Sequence, residues 1–128
     1  MPATRSYELH GVRVLECAAE GPRLRNDRDA VDLIGTAFEH RAALIVLPVE
    51  RLDDDFFRLR TRIAGEIIQK FVNYRLRLAI VGDISRHLDE SSALQAFVNE
   101  SNRGKDVWFL ASLVELDRRL GQAQLRGA

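Results

Sequence analysis

Three groups of polar residues have the types and spacing that could do chemistry. Gly82-Asp83-Ile84-Ser85 follows an apolar run. There Asp83 could bind a cation or act as a base, and Ser85 could contact an anion. Asp53-Asp54-Asp55 stands shortly before Arg60-Thr61, and carboxylates beside hydroxyls are a donor set that suits magnesium. No aspartate spacing here matches a phosphoryl-transfer motif, however. Glu66, Gln69, Lys70 and Asn73 recur along one helical stretch and would line a partner surface. Each group also has a plainer reading. Gly82 permits a turn while Asp83 and Ser85 satisfy loop amides. Three acids complement the positive end of a helix. Polar residues at helical spacing form a solvated face.

Other residues carry less. His10, His40 and His87 have no ligand-spaced partner and read as surface residues. Cys17, the only cysteine, reads as a buried inert thiol. Glu100-Ser101-Asn102-Arg103-Gly104 reads as a helix C-cap, with Asn102 or Gly104 in the left-handed conformation and Glu100 paired to Arg103. No P-loop, dinucleotide-binding glycine pattern or G-x-S-x-G elbow occurs. A catalytic set, a metal site and a cofactor are therefore not expected.

The elements that must hold these residues follow from periodicity. Tyr7, Leu9, Val12, Val14 and Cys17 are spaced for a hairpin turning at His10-Gly11. Asn26 or Asp27 caps a first helix with Ala30, Ile34, Ala37 and Phe38 on its stripe. Ala43 to Val49, Leu78 to Val81 and Val107 to Leu110 are unbroken apolar runs of strand length, which implies burial on both faces. Between the first two, a long second helix is expected to open at Asp53-Asp54-Asp55. Its stripe would be Phe56, Leu59, Ile63, Ile67, Phe71 and Tyr74, with Arg60 beside it and Arg62, Glu66 and Lys70 as i,i+4 neighbours. A third helix would span Ser92 to Asn102, capped by Ser92 with Gln95. A fourth would open at Ser112 with Glu115 and run through Leu116 and Leu120.

The expected order is β-β-α-β-α-β-α-β-α. That is one mixed, mostly parallel five-stranded sheet with four helices, over residues 1–121, followed by a frayed tail at 122–128. In open α/β sheets ligands bind beyond the carboxyl ends of the strands, so Asp83, Ser85, the acidic run and Arg60 would share one crevice.

Composition bounds the rest. The chain has 128 residues, 46% apolar and 30% charged, which suits one globular domain. Nineteen basic residues balance nineteen acidic ones, removing the bulk electrostatic argument for nucleic acid or an anionic membrane. All but Lys70 and Lys105 of the basic residues are arginine, a skew that codon bias explains without an arginine-dependent chemistry. A lone cysteine, no apolar run after the N-terminal MPATRSYELH and no membrane-length apolar stretch make a cytoplasmic location the expectation.

The text from Phe56 to Ser85, FFRLRTRIAGEIIQKFVNYRLRLAIVGDIS, with ESNRG at Glu100 to Gly104, resembles a bacterial family catalogued as domain of unknown function 4180. The resemblance covers nearly the whole chain and implies no activity. Element order is in turn similar to the STAS domain (sulfate transporter and anti-sigma antagonist), which implies a small cytoplasmic module that binds partner proteins. STAS antagonists carry an Asp-Ser-Ser/Thr-Gly pattern where this chain has Leu52-Asp53-Asp54-Asp55-Phe56-Phe57, so no serine stands at the switch position. The leading expectation is a regulatory module acting by protein–protein contact or as a homodimer, through the second helix and the adjoining loops. The alternative is a small-molecule binder or enzyme using the crevice around Asp83.

Overall fold

The computed structural model describes residues 4–127. A hairpin opens the chain, β1 (Arg5–Leu9) and β2 (Val12–Glu16). His10 and Gly11 both have positive φ, 51° and 80°, the pair of left-handed residues that a two-residue turn between right-twisted strands demands. Then follow α1 (Asp27–Glu39), β3 (Leu44–Pro48), α2 (Ile63–Asn73), β4 (Arg77–Val81), α3 (Ser85–Glu90), α4 (Ser92–Arg103), β5 (Val107–Leu110) and α5 (Leu113–Gly127).

The five strands lie in sequence order, β1 antiparallel to β2 and every later pair parallel. This is the mixed, mostly parallel sheet expected, with four substantial helices. Strict period-two alternation divides the core. Leu15, Ile45, Leu47, Leu78, Ile80, Val107 and Phe109 face one side, where they meet Ile34 of α1, Ile67 and Phe71 of α2, and Leu94 and Val98 of α4. Val14, Leu44, Val46, Ala79, Trp108 and Leu110 face the other, where they meet only Leu116 and Leu120 of α5 among buried helical residues. Three successive crossovers stepping the same way along the sheet put their helices on one face. Helix α5 alone returns across the opposite face, its Asp117 carboxylate 2.7 Å from His10 Nε2 at the hairpin turn. Its helical bonding continues past Gly121 to Gly127.

Several expected boundaries shift. The second helix does not begin at the acidic run. Residues Asp54–Phe57 and Leu59–Thr61 form two short 3-10 turns, and α2 starts after Arg62, which has φ 65°. Two causes are visible. Phe56 and Phe57 are both buried, with rings edge to face at 5.1 Å, and neighbours 100° apart on a helix do not share one narrow buried stripe. Thr61 Oγ1 lies 2.7 Å from the carbonyl oxygens of both Asp55 and Arg58 and accepts from the Ile63 N–H, so its hydroxyl takes backbone groups that a continuous helix would use. Phe56 and Leu59 thus leave the helix stripe, and Tyr74 is its half-exposed C-cap.

The third helix is capped by Ser91 rather than Ser92, Ser91 Oγ accepting from Leu94 N–H at 3.1 Å. The extra six-residue α3 precedes it. Helix α4 ends at Gly104 with an extended backbone (φ −82°, ψ −165°), not a left-handed one, and Asn102 is still helical. Asn102 instead binds across to the edge strand. Its side chain accepts from Phe109 N–H at 2.7 Å and donates to Phe109 C=O at 3.2 Å, the pair of bonds a sixth strand would make. Glu100 and Arg103 do pair, at 3.4 Å.

Candidate functional site

The carboxyl ends of β2 to β5 end on one rim, from which the connecting segments depart. Arg51, the one buried charged residue among those described, organises the first of these. Its Nη1 donates to Ala18 C=O at 3.0 Å and its Nε to Pro22 C=O. Leu24 N–H also donates to Arg51 C=O at 2.7 Å. The β2–α1 and β3–α2 connections are thereby tied together. Cys17 lies beneath, buried, and burial pushes its thiol up to about 11 despite the Arg51 charge nearby. It is buried, as expected.

The acidic run is taken up residue by residue by arginines from different segments. Asp53 pairs with Arg23 and Arg25 at 3.1 and 3.2 Å, Asp54 with Arg86 at 3.0 Å, and Asp55 with Arg58 at 2.9 Å. With α2 starting only at Ile63, these acids cannot serve its dipole. Asp53 and Asp54 instead link separate segments of the rim, and Asp55 stays within its own turn. No group of three metal-ligating side chains occurs among the described residues.

Asp83 and Ser85 close on each other. Asp83 Oδ1 accepts from Ser85 N–H at 2.9 Å and from Ser85 Oγ at 2.5 Å. These bonds hold the exposed carboxyl below the usual carboxylate range. They line a cavity of about 370 Å³ between the ends of β4 and β5, with Gly82, Ala111 and Glu115. This is where the outgoing connections separate, α3–α4 to one face and α5 to the other, and such a divergence opens a crevice. Arg60 and Thr61 do not join them there. Arg60 lines another cavity of about 440 Å³ with Asp54, Phe57, Arg58, Arg86 and His87, while Asp54 and Asp83, as expected of the acidic run, do share one of about 390 Å³ that lies between the two.

The cavity lined by Arg60 contains the residue sequence reasoning missed. His87 is not a simple surface histidine. Its side chain is 12% exposed, and its ring stacks on Phe57 at 4.3 Å with planes 13° apart. Asp54 Oδ1 lies 3.7 Å and Arg86 Nη2 3.4 Å from its Nε2. Burial, then the Arg86 charge, hold His87 below its ordinary pKa, outweighing Asp54 and Glu90. The sequence hint was the adjacent Phe56-Phe57 pair, since one ring of such a pair must find a partner off the helix stripe.

The remaining candidates do come together. Glu66, Gln69, Lys70 and Asn73 share an open groove of about 660 Å³ along α2 with Leu59, Arg62, Gly65 and Phe97. Gln69 Nε2 donates to Asn73 Oδ1 at 2.8 Å. Beside it, at the ends of α1 and α2, Phe38 and Tyr74 are 50% and 46% exposed, with rings 5.8 Å apart in an edge contact.

A family model described as Domain of unknown function (DUF4180) matches residues 9–120. The chain belongs to this family. The DUF4180 match spans every strand-to-helix connection of the rim and all of α2, so both candidate surfaces lie inside it. No curated protein and no solved structure matches the chain. No helix among the described residues is long and apolar enough to cross a membrane.

Proposed function

We propose that this protein is a small STAS-like regulatory module that works in the cytoplasm by binding another protein, or a second copy of itself, through the outer face of α2. The observation that carries the reading is the α2 groove. It combines amide and charged groups, Glu66, Gln69, Lys70 and Asn73, with apolar floor from Leu59 and Phe97. A polar rim around an apolar centre is the composition of a protein interface. The half-exposed Phe38–Tyr74 pair at one end supplies aromatic anchors of the kind that dominate such contacts. The hairpin-led, sequentially ordered sheet with an extra helix on its second face is consistent with the STAS likeness.

A photo-crosslinking residue installed at Gln69, with the same residue at exposed Glu8 on β1 as the control, tests this in cells. A discrete adduct from position 69 that is absent from position 8, and that Tyr74→Asp and Phe38→Asp reduce, supports the reading. Equal labelling from both positions, or none from position 69 together with a strictly monomeric mass by light scattering, refutes it.

A further inference from the structure

We propose that the cleft between the Asp54–Thr61 turns and α3 binds the phosphoryl group of a small phosphate monoester, with Arg58, Arg60 and Arg86 as its donors. The cleft of about 440 Å³ lies in the range of small-ligand sites. Its walls carry three arginines against two carboxylates, Asp54 and Glu90. Arg86 and Arg58 are each held by an aspartate through one nitrogen, at 3.0 and 2.9 Å, which keeps both guanidinium groups beside the cleft. Arg60 makes none of the ion pairs found among the described residues and is available. Guanidinium forks match phosphoryl oxygens in a way that ammonium groups do not.

The floor adds the second half of the recognition. Phe57, Leu59 and Ala93 are apolar, so the ester group of a monoester has a surface to cover while its phosphoryl group meets the arginines. His87 lies over Phe57 with Asp54, Arg58, Arg86 and Glu90 as the charged groups acting on it. Asp55, just outside the lining, balances Arg58, so with His87 neutral the charges around the cleft cancel, and a proton on His87 leaves one surplus positive charge for the phosphoryl group to meet. Binding therefore takes up a proton. An anion placed beside His87 favours its charged form and raises its midpoint, so affinity increases as pH falls through the histidine range. This inference is independent of the α2 groove.

The test is a titration of the full chain with phenyl phosphate, and separately with inorganic phosphate, followed by amide and imidazole resonances. Phenyl phosphate is expected to shift residues of the Asp54–Thr61 turns and of α3, and to bind several-fold more tightly than inorganic phosphate. It is also expected to raise the His87 midpoint by about half a unit or more. Arg60→Gln and Arg86→Gln, both at exposed positions, should each weaken binding about tenfold, the loss of one charge-assisted contact. Arg118→Gln, exposed on α5, should leave it unchanged. Weakening by Arg118→Gln equal to that of Arg60→Gln, an unmoved His87 midpoint, or no cleft shifts at millimolar ligand would each overturn the proposal.

Discussion

Arg51 and Gly21 should behave as one unit, and a double-mutant cycle in urea measures it. Arg51 is 8% exposed, pairs with no carboxylate among the described residues, and its guanidinium is held by the carbonyls of Ala18 and Pro22. A Cβ on Gly21 would lie 2.4 Å from its Cζ and Nη1, so Gly21→Ala forces the guanidinium to shift against its two acceptors. Hydrogen bonds to a charged group contribute about 1.5–3 kcal/mol each, but the cost of keeping that charge out of water offsets part of the gain. Arg51→Met, which keeps the stem and removes the fork, should therefore cost about 2–4 kcal/mol. Gly21→Ala should cost about 1–3 kcal/mol in the native background, as overpacking does. With methionine at 51 the added methyl no longer displaces a fixed group, and the second substitution should cost under about 0.5 kcal/mol. Trp108, the single tryptophan and 4% exposed, reports unfolding by its fluorescence. If the two costs simply add, Gly21 does not act through Arg51, and the clamp as the organiser of the rim is refuted.

Asn102→Ala should cost about 1–3 kcal/mol by urea titration, since it leaves the Phe109 N–H and C=O without their partners. Asn102→Asp should recover only part, because it keeps the acceptor and loses the donor. Burial lifts the Cys17 thiol from about 9 to about 11, so between those values the unfolded chain has lost a proton the native state retains, and stability must fall as pH rises. Cys17→Ala should flatten that stretch of the stability curve. Tyr7, pushed up to about 12 by burial and the Glu16 carboxylate, should continue the decline at higher pH. Asp83 is held down by Ser85, so its contribution is present above the ordinary carboxylate range and lost as pH falls through its lowered folded pKa. Ser85→Ala should move its carbon-13 carboxyl titration back upward, and an unmoved midpoint would show that the pair is not coupled.

The sheet was readable because its signals are local. Unbroken apolar runs at Leu44–Leu47 and Leu78–Ile80 are too short for helices and suit strands covered on both faces, and the His10-Gly11 turn carries its own geometry. The start of α2 was not, because two local rules agreed with each other and both lost. Acids at Asp53 to Asp55 and an i,i+3 apolar spacing argued for one long helix, whereas burial of both phenylalanines and the Thr61 hydroxyl decided otherwise. The α2 polar residues were legible as a shared surface since helical spacing alone brings them together. His87 was not, because what defines it is Phe57 stacked on it and Asp54 beside it. Asp54 lies 32 positions from the Arg86 that it holds, a separation no periodicity reports. Asp83 and Ser85 make the side-chain-to-amide bond that their two-residue spacing allows.

The arginine skew also takes on physical content. Arg51, Arg77 and Arg119 each donate to a backbone carbonyl, and the last two lie 4.7 and 4.2 Å from the Trp108 ring, which burial accompanies by lowering both guanidinium pKa values. Lysine, a point charge on a flexible stem, has donors enough for two carbonyls but no planar fork, so it cannot lie flat on an indole while donating in its own plane. Arg23, Arg25, Arg58 and Arg86 in turn neutralise the acidic run from three separate segments. Whatever set the codon usage, the fold uses the planar fork repeatedly to close polar gaps that loops leave open. Against that background an arginine without such a partner stands out. Arg60 is exposed, lines a partly apolar cleft, and belongs to none of these closures, so its guanidinium can pair with an anionic ligand without first giving up a carboxylate.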